Sequence, residues 1–181
     1  MGKFEKEDAT SPTVATGRIF TPSVIDTRER RDVATIDTPG EFLHVDSDDH
    51  SIMVLKGKLT LFMCHVDSKL YRKYNKRGKP VIYAKILKAI YGLPQSALLF
   101  YRKLVKDLQK YGLKMKPNDP CVLNSTKNRK TITVKFHVDE LKVSRMDPFE
   151  ITFFLCYLYR IYGNKLVVHK GKEHDYFEIN F

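Results

Sequence analysis

Apolar and polar residues recur at regular spacings along most of the chain, and changes in that spacing mark out the elements. "TITVKFHVD" (131–139) alternates strictly and predicts a β-strand. Ile132, Val134, Phe136 and Val138 fall on one face, Thr133, Lys135, His137 and Asp139 on the other. "LKVS" alternates again after Asp139 and Glu140, so a β-hairpin with an acidic tip is expected. Upstream, "RDVATID" (31–37) carries Val33, Ala34 and Ile36 and predicts a short strand. "TPG" stops it and leaves Asp37 at the strand end. "SIMVLKGKLTLFMCHVD" predicts a strand, a break at Gly57 and a short apolar helix. "GKPVIYAKILKAIYGLPQ" predicts a strand, a connection and a turn.

Two longer helices follow from a period near 3.6. Ser96 is placed to cap "ALLFYRKLVKDLQKY", with Leu98, Tyr101, Leu104, Val105 and Leu108 on one face. Lys103, Lys106, Asp107 and Lys110 fall on the opposite face, and Gly112 is the stop signal. The second helix has Asp147 as cap, Pro148 in the first turn, Glu150 to complete a capping box and Gly163 as its end. "KLVVHKGKEHDYFEINF" predicts two short closing strands. The mixed order defines an α+β protein, an antiparallel sheet with helices packed on one face. Residues 1–13 are polar and are expected to form a disordered tail ahead of a domain over 14–181.

Composition leaves that outline unchanged, since 43% hydrophobic and 29% charged residues in 181 are ordinary for a globular chain. No apolar run approaches the roughly 20 residues of a membrane span, and the N-terminus carries no hydrophobic signal core. Cys64, Cys121 and Cys156 are dispersed, which points to a reducing, intracellular setting. His65, His169 and His174 show no metal-ligand spacing. Charge does change the picture. The net charge is +11, and Lys69 to Lys130 alone holds 17 lysines and arginines against Asp107 and Asp119. Tyr71, Tyr74, Tyr83, Tyr91, Phe100 and Tyr101 are interleaved with that charge. A polyanion partner, with aromatic rings stacking on bases, is one reading; a lysine-rich solvated surface is the other.

Asp139 and Glu140 pose the chemical question, because adjacent carboxylates repel and Asn-Gly or Asp-Gly would make an easier tip. A solvated turn would account for them. So would a metal site, if a third carboxylate joined them. Hard divalent cations in a phosphoryl-transfer site are bridged by carboxylate oxygens and sit about 3.5–4 Å apart. Asp37, at the end of another strand, is the best candidate for that third group.

"RDVATIDTPGEFLHVD", "KAIYGLPQSALLFYRKL", "GLKMKPNDPCV" and "FHVDELKVS", in that order, resemble the reverse transcriptase of copia-type LTR retrotransposons. The closing "YGNKLVVHKGKEHDYFEINF" is similar to the stretch that follows in some branches, so the likeness runs from about residue 14 to the end. The resemblance implies a reverse-transcriptase-like palm with partial fingers and an RNA-directed DNA polymerase adding dNTPs to a primer 3′-hydroxyl. It implies two Mg2+ ions, with Mn2+ as the alternative, and a template-primer of RNA or DNA. Asp37 and Asp139 match the shared metal ligands, and Glu140 the second carboxylate of the Tyr-x-Asp-Asp box, in which His137 replaces Tyr. Phe42 matches the aromatic beneath the sugar, and Gln95 the glutamine that contacts the incoming nucleotide. Lys85, Lys88, Arg102 and Lys103 are the expected phosphate contacts. A lysine between 165 and 172 would supply the general acid to pyrophosphate.

Departures from the family pattern qualify the activity expected. Glu140 is one methylene longer than Asp, which implies impaired chemistry. Glu41 stands where the family prefers a small residue, and "YFEINF" places Glu178 near the expected primer grip. Thumb, RNase H, protease and integrase are not matched, which implies a partial copy of the polyprotein, itself expected in cytoplasmic virus-like particles or the nucleus. The alternative is a catalytically dead remnant that acts at most as a non-specific nucleic-acid-binding module.

Overall fold

The computed structural model describes residues 11–12, 17–47, 51–75, 80–93, 95–127, 130–171, 175–176 and 179–180. The tail expected over 1–13 lies outside them except for Ser11 and Pro12, as do His174 and Glu178. In chain order the elements are α1 (Gly17–Arg28), β1 (Asp32–Asp37), a 3-10 turn (Glu41–His44), β2 (Ile52–Lys56), α2 (Lys58–Val66) and α3 (Ser68–Tyr71). A second 3-10 turn (Arg72–Tyr74), β3 (Val81–Lys85), α4 (Ser96–Lys110), β4 (Lys114–Lys116), β5 (Asp119–Lys127) and β6 (Lys130–His137) come next. β7 (Glu140–Arg145), α5 (Pro148–Tyr162), β8 (Val167–Lys170), β9 (Asp175–Tyr176) and β10 (Ile179–Asn180) complete the chain. Contacts divide it into two units, Met1–Val45 with Ile90–Phe181, and Asp46–Ala89.

The larger unit is built on a six-stranded antiparallel sheet in the order β4-β5-β6-β7-β1-β8. Ala34 and Ile36 of β1, Val134 and Phe136 of β6, and Leu141 and Val143 of β7 share one face, all fully buried. Helix α4 packs there through Tyr101, whose ring centroid lies 5.8 Å from that of Phe136, and α5 lies over β7 and β1. The mixed α+β reading therefore stands. The helices are not confined to one face, however. Lys142 lies on the opposite side of β7 from Leu141 and meets α1, its ammonium 3.4 Å from the Asp26 carboxylate and 2.9 Å from Ser23 Oγ. Thr133 and Lys135, predicted on a polar face, are consequently buried, Lys135 to 1% exposure.

Caps also differ in detail from the pattern. Ser96 does not cap α4 but donates to the Ile90 carbonyl at 2.6 Å, and Gln95 takes the cap position without a side-chain bond. Asp147 does cap α5, accepting from the Phe149 N–H at 3.1 Å. Glu150 accepts instead from Arg145 at 3.2 Å, which ties the first turn of α5 to the end of β7 in place of a capping box. Asp107 departs furthest. It is 6% exposed, because it accepts from Lys103 and Tyr162 while its carbonyl accepts from Tyr157 Oη at 2.7 Å. An aspartate on the outward face of α4 thus becomes the tie to α5. The closing stretch forms β8 at the sheet edge and a separate β9–β10 pair.

The smaller unit pairs β2 with β3 in antiparallel register, Ile52 opposite Lys85 and Lys56 opposite Val81. Gly57, at φ 58, makes the predicted break before α2. Thr60 is buried and donates to the Leu55 carbonyl at 2.8 Å, which ties α2 to its strand.

Candidate active site

β1 runs down the sheet until Asp37 and stops, and the register puts Asp37 opposite Glu140 of β7. Glu140 is in turn opposite His137 of β6, so the three share one rung on the face away from α4 and α5. His137 and Glu140 close a two-residue turn made of Val138 and Asp139. The expected acidic tip is therefore split: Asp139 occupies the turn, while Glu140 already belongs to β7. Val138, predicted to prolong the strand, has φ 52 and sits in the turn.

Asp139 is half-buried, and its carboxyl is pushed up chiefly by burial and further by the charge of Asp37. The His137 side chain and Asp139's own backbone act in the opposite sense. Asp37 and Asp139, 102 residues apart in sequence, thus converge closely enough for the charge of Asp37 to act on the Asp139 carboxyl. β6–β7 strand pairing and the place of β1 beside β7 bring this about.

Beyond Asp37 the chain turns through Gly40, at φ 69, into the 3-10 turn that carries Glu41 and Phe42. Glu41 is 1% exposed, and its Oε2 has no hydrogen-bond partner among the described residues. Burial raises its pKa most, the Tyr91 hydroxyl lowers it by donating to the carboxylate, and Asp139 and Asp37 raise it again. Phe42 is closed off at 7% exposure by Tyr91, centroids 4.5 Å apart, and Phe100 at 6.4 Å. Sequence reading noted Glu41 only as a departure and Tyr91 only as one aromatic among several.

The remaining site residues are dispersed. Gln95 is half-buried at the start of α4, its carbonyl accepting from the Leu99 N–H at 2.9 Å. Arg102 is exposed on α4. Lys103 is held by Asp107 and lies over the Tyr162 ring, 4.5 Å from its centroid, which corrects its expected place on an open basic surface. Lys85 and Lys88 belong to the smaller unit, Lys85 exposed and Lys88 paired with Asp46 at 2.7 Å.

Among the described residues, no three His, Cys, Asp or Glu side chains are grouped so as to hold a metal ion by themselves. Two carboxylates are present, and Mg2+ is commonly bound by one or two carboxylates with water and substrate phosphates completing the shell. Asp37 and Asp139 fit that donor set. No helix of the described residues is long and apolar enough to cross a membrane. No family model, curated protein or solved structure matches the chain.

Proposed function

We propose that this chain is an RNA-directed DNA polymerase domain of the copia-type retrotransposon kind, the larger unit its palm and the smaller part of its fingers. The observation that carries the reading is the convergence of Asp37 and Asp139 on one end of an antiparallel sheet. A strand end and a hairpin turn on the same sheet hold two carboxylates with little freedom, as nucleotidyl transfer by positioned metal ions requires.

Asp37 and Asp139 would hold the two divalent ions, with Glu140 adjacent on the same rung as Asp37. Once bound, such ions acidify the primer 3′-hydroxyl and neutralise the triphosphate and the leaving pyrophosphate. The charge of His137 acts on the Asp139 carboxyl and favours its charged form. Exposed cations, Arg102 on α4 and Lys85 in the smaller unit, are suited to sequence-independent phosphate contacts. Template-primer and dNTPs are the partners, and virus-like particles in the cytoplasm, or the nucleus, the setting.

Primer extension with Mg2+ and dNTPs tests the reading. Incorporation is expected from the parent chain, with Asp139→Asn reducing it at least about 100-fold while template-primer affinity stays within about 2-fold. Glu140 in place of the second aspartate favours the second reading, a non-catalytic nucleic-acid-binding remnant. Salt-sensitive binding without incorporation by the parent chain would select it.

A further inference from the structure

We propose that α1 is a built-in occluding helix: its Asp26 stands where a nucleic-acid phosphate binds, and template-primer must displace it to reach Lys142 and Lys135. The inference rests on the nucleic-acid reading above and goes beyond it by assigning a second phosphate site and the segment that closes it. The sheet face that carries Asp37, His137 and Glu140 continues past them. Lys142 follows Glu140 by two residues, about 7 Å of strand, and so lies one rung on, between Thr35 of β1 and Lys135 of β6. A primer whose 3′ end reaches Asp37 passes its earlier phosphates over a neighbouring rung, and this one presents two lysines. Both are shut away from solvent, Lys142 at 3% exposure and Lys135 at 1%.

Charge holds α1 over that rung. Asp26 meets the Lys142 ammonium at 3.4 Å and the Arg31 guanidinium at 3.8 Å, and Ser23 Oγ accepts from Lys142 at 2.9 Å. Arg31 also donates to Thr133 Oγ1 of β6 at 3.2 Å. Both carboxylate contacts are longer than the roughly 2.7–2.9 Å of a strong charge-assisted bond. Over residues 23–28 the apolar side chains face the other way, Val24 at 66% exposure and Ile25 at 39%. A helix seated by apolar burial would do the reverse. Desolvation offsets most of the attraction between buried ions, so lifting this stretch loses little and opens the lysines to water or phosphate. A phosphate oxygen offers lysine the same anionic acceptor as a carboxylate, so a duplex competes with Asp26 for one set of cations.

Hydrogen exchange and duplex binding by the full chain test this. With the parent saturated by a short blunt DNA duplex, amide exchange over residues 23–28 is expected to speed up at least about 10-fold, whereas a helix fixed in the fold would exchange no faster. Asp26→Asn should tighten duplex binding about 10-fold, by removing the factor that the closed state imposes. It should also steepen the salt dependence by about 0.9 for each lysine uncovered. Asp32→Asn, which removes the same charge from an exposed position on β1, should change neither. Adding Lys142→Gln to Asp26→Asn should take back about half the gain in slope. Unchanged or slower exchange over 23–28 in the duplex-bound parent, with primer extension intact, overturns the α1 inference and leaves the polymerase reading standing. Release of α1 without incorporation overturns the polymerase reading and keeps the α1 inference, whose ligand is nucleic acid under either reading. A parent chain that binds no duplex overturns both.

Discussion

Val138 is the residue at which the backbone departs most from what its side chain prefers. A β-branched residue at φ 52 is an outlier, and a two-residue hairpin with positive φ only at its first central position ordinarily has glycine there. The alternation of "TITVKFHVD" could not reveal this, because Val138 keeps the apolar phase of Phe136 while the chain has already turned. The strain is localised beside Asp139, the carboxylate whose position matters most. Val138→Gly should therefore release roughly 1–3 kcal/mol of backbone strain, offset by about 1 kcal/mol for the freer unfolded chain. The expected net effect is a rise of a few degrees in Tm, about 2–4 °C per kcal/mol for a chain of this size. A lower Tm by calorimetry would mean that packing of the Val138 side chain outweighs its strain.

Among the elements, α1 shows most clearly what periodicity leaves out. β6 was legible as a strand, with Ile132, Val134 and Phe136 on one face, but alternation alone did not say what covers Thr133 and Lys135 on the other. Only the fold brings α1 across them, with Asp26 between Lys142 at 3.4 Å and Arg31 at 3.8 Å. Lys135, opposite Lys142 on the same face, has its pKa lowered to about 8, first by burial and then by Lys142, against the pull of Asp26 and Asp119. Lys142 is lowered too, again first by burial. The folded pKa lies below the unfolded value of 10.5, so the native state carries a penalty for a buried charge at every pH below about 8. That penalty fades as pH rises from about 8 towards 10.5, and stability increases across the same window. The change for Lys135 is on the order of 3 kcal/mol at most. Urea unfolding of Lys135→Met should show higher stability than the parent at pH 7, with the two converging by pH 10. Parallel pH profiles for the two proteins would show that the buried charge is compensated in full.

At the scale of the whole molecule, β1, the β6–β7 hairpin and the two long helices were legible because each depends on a short run of residues, whereas α1, β4 and β5 were not. The fate of individual cations was not, because it depends on what another element places beside them. The cationic residues between Lys69 and Lys130 fall on both units, and their sum explains a basic chain without saying which of them meet a polyanion. Arg102 and Lys103 make the contrast on one helix: Arg102 is open to solvent, whereas the Lys103 ammonium is held by Asp107 and covered on one side by Tyr162. A phosphate contact releases condensed counterions only if the cation was not already neutralised within the protein. Binding to duplex DNA of unrelated sequences should accordingly be of similar strength, with log K falling linearly as log salt rises. Arg102→Ala should reduce the magnitude of that slope by about 0.9. Lys103→Ala should lower Tm, through loss of the Asp107 tie, and leave the slope within error. An equal drop in slope for both variants would place Lys103 on the phosphate backbone and undo its assignment to the α4–α5 contact.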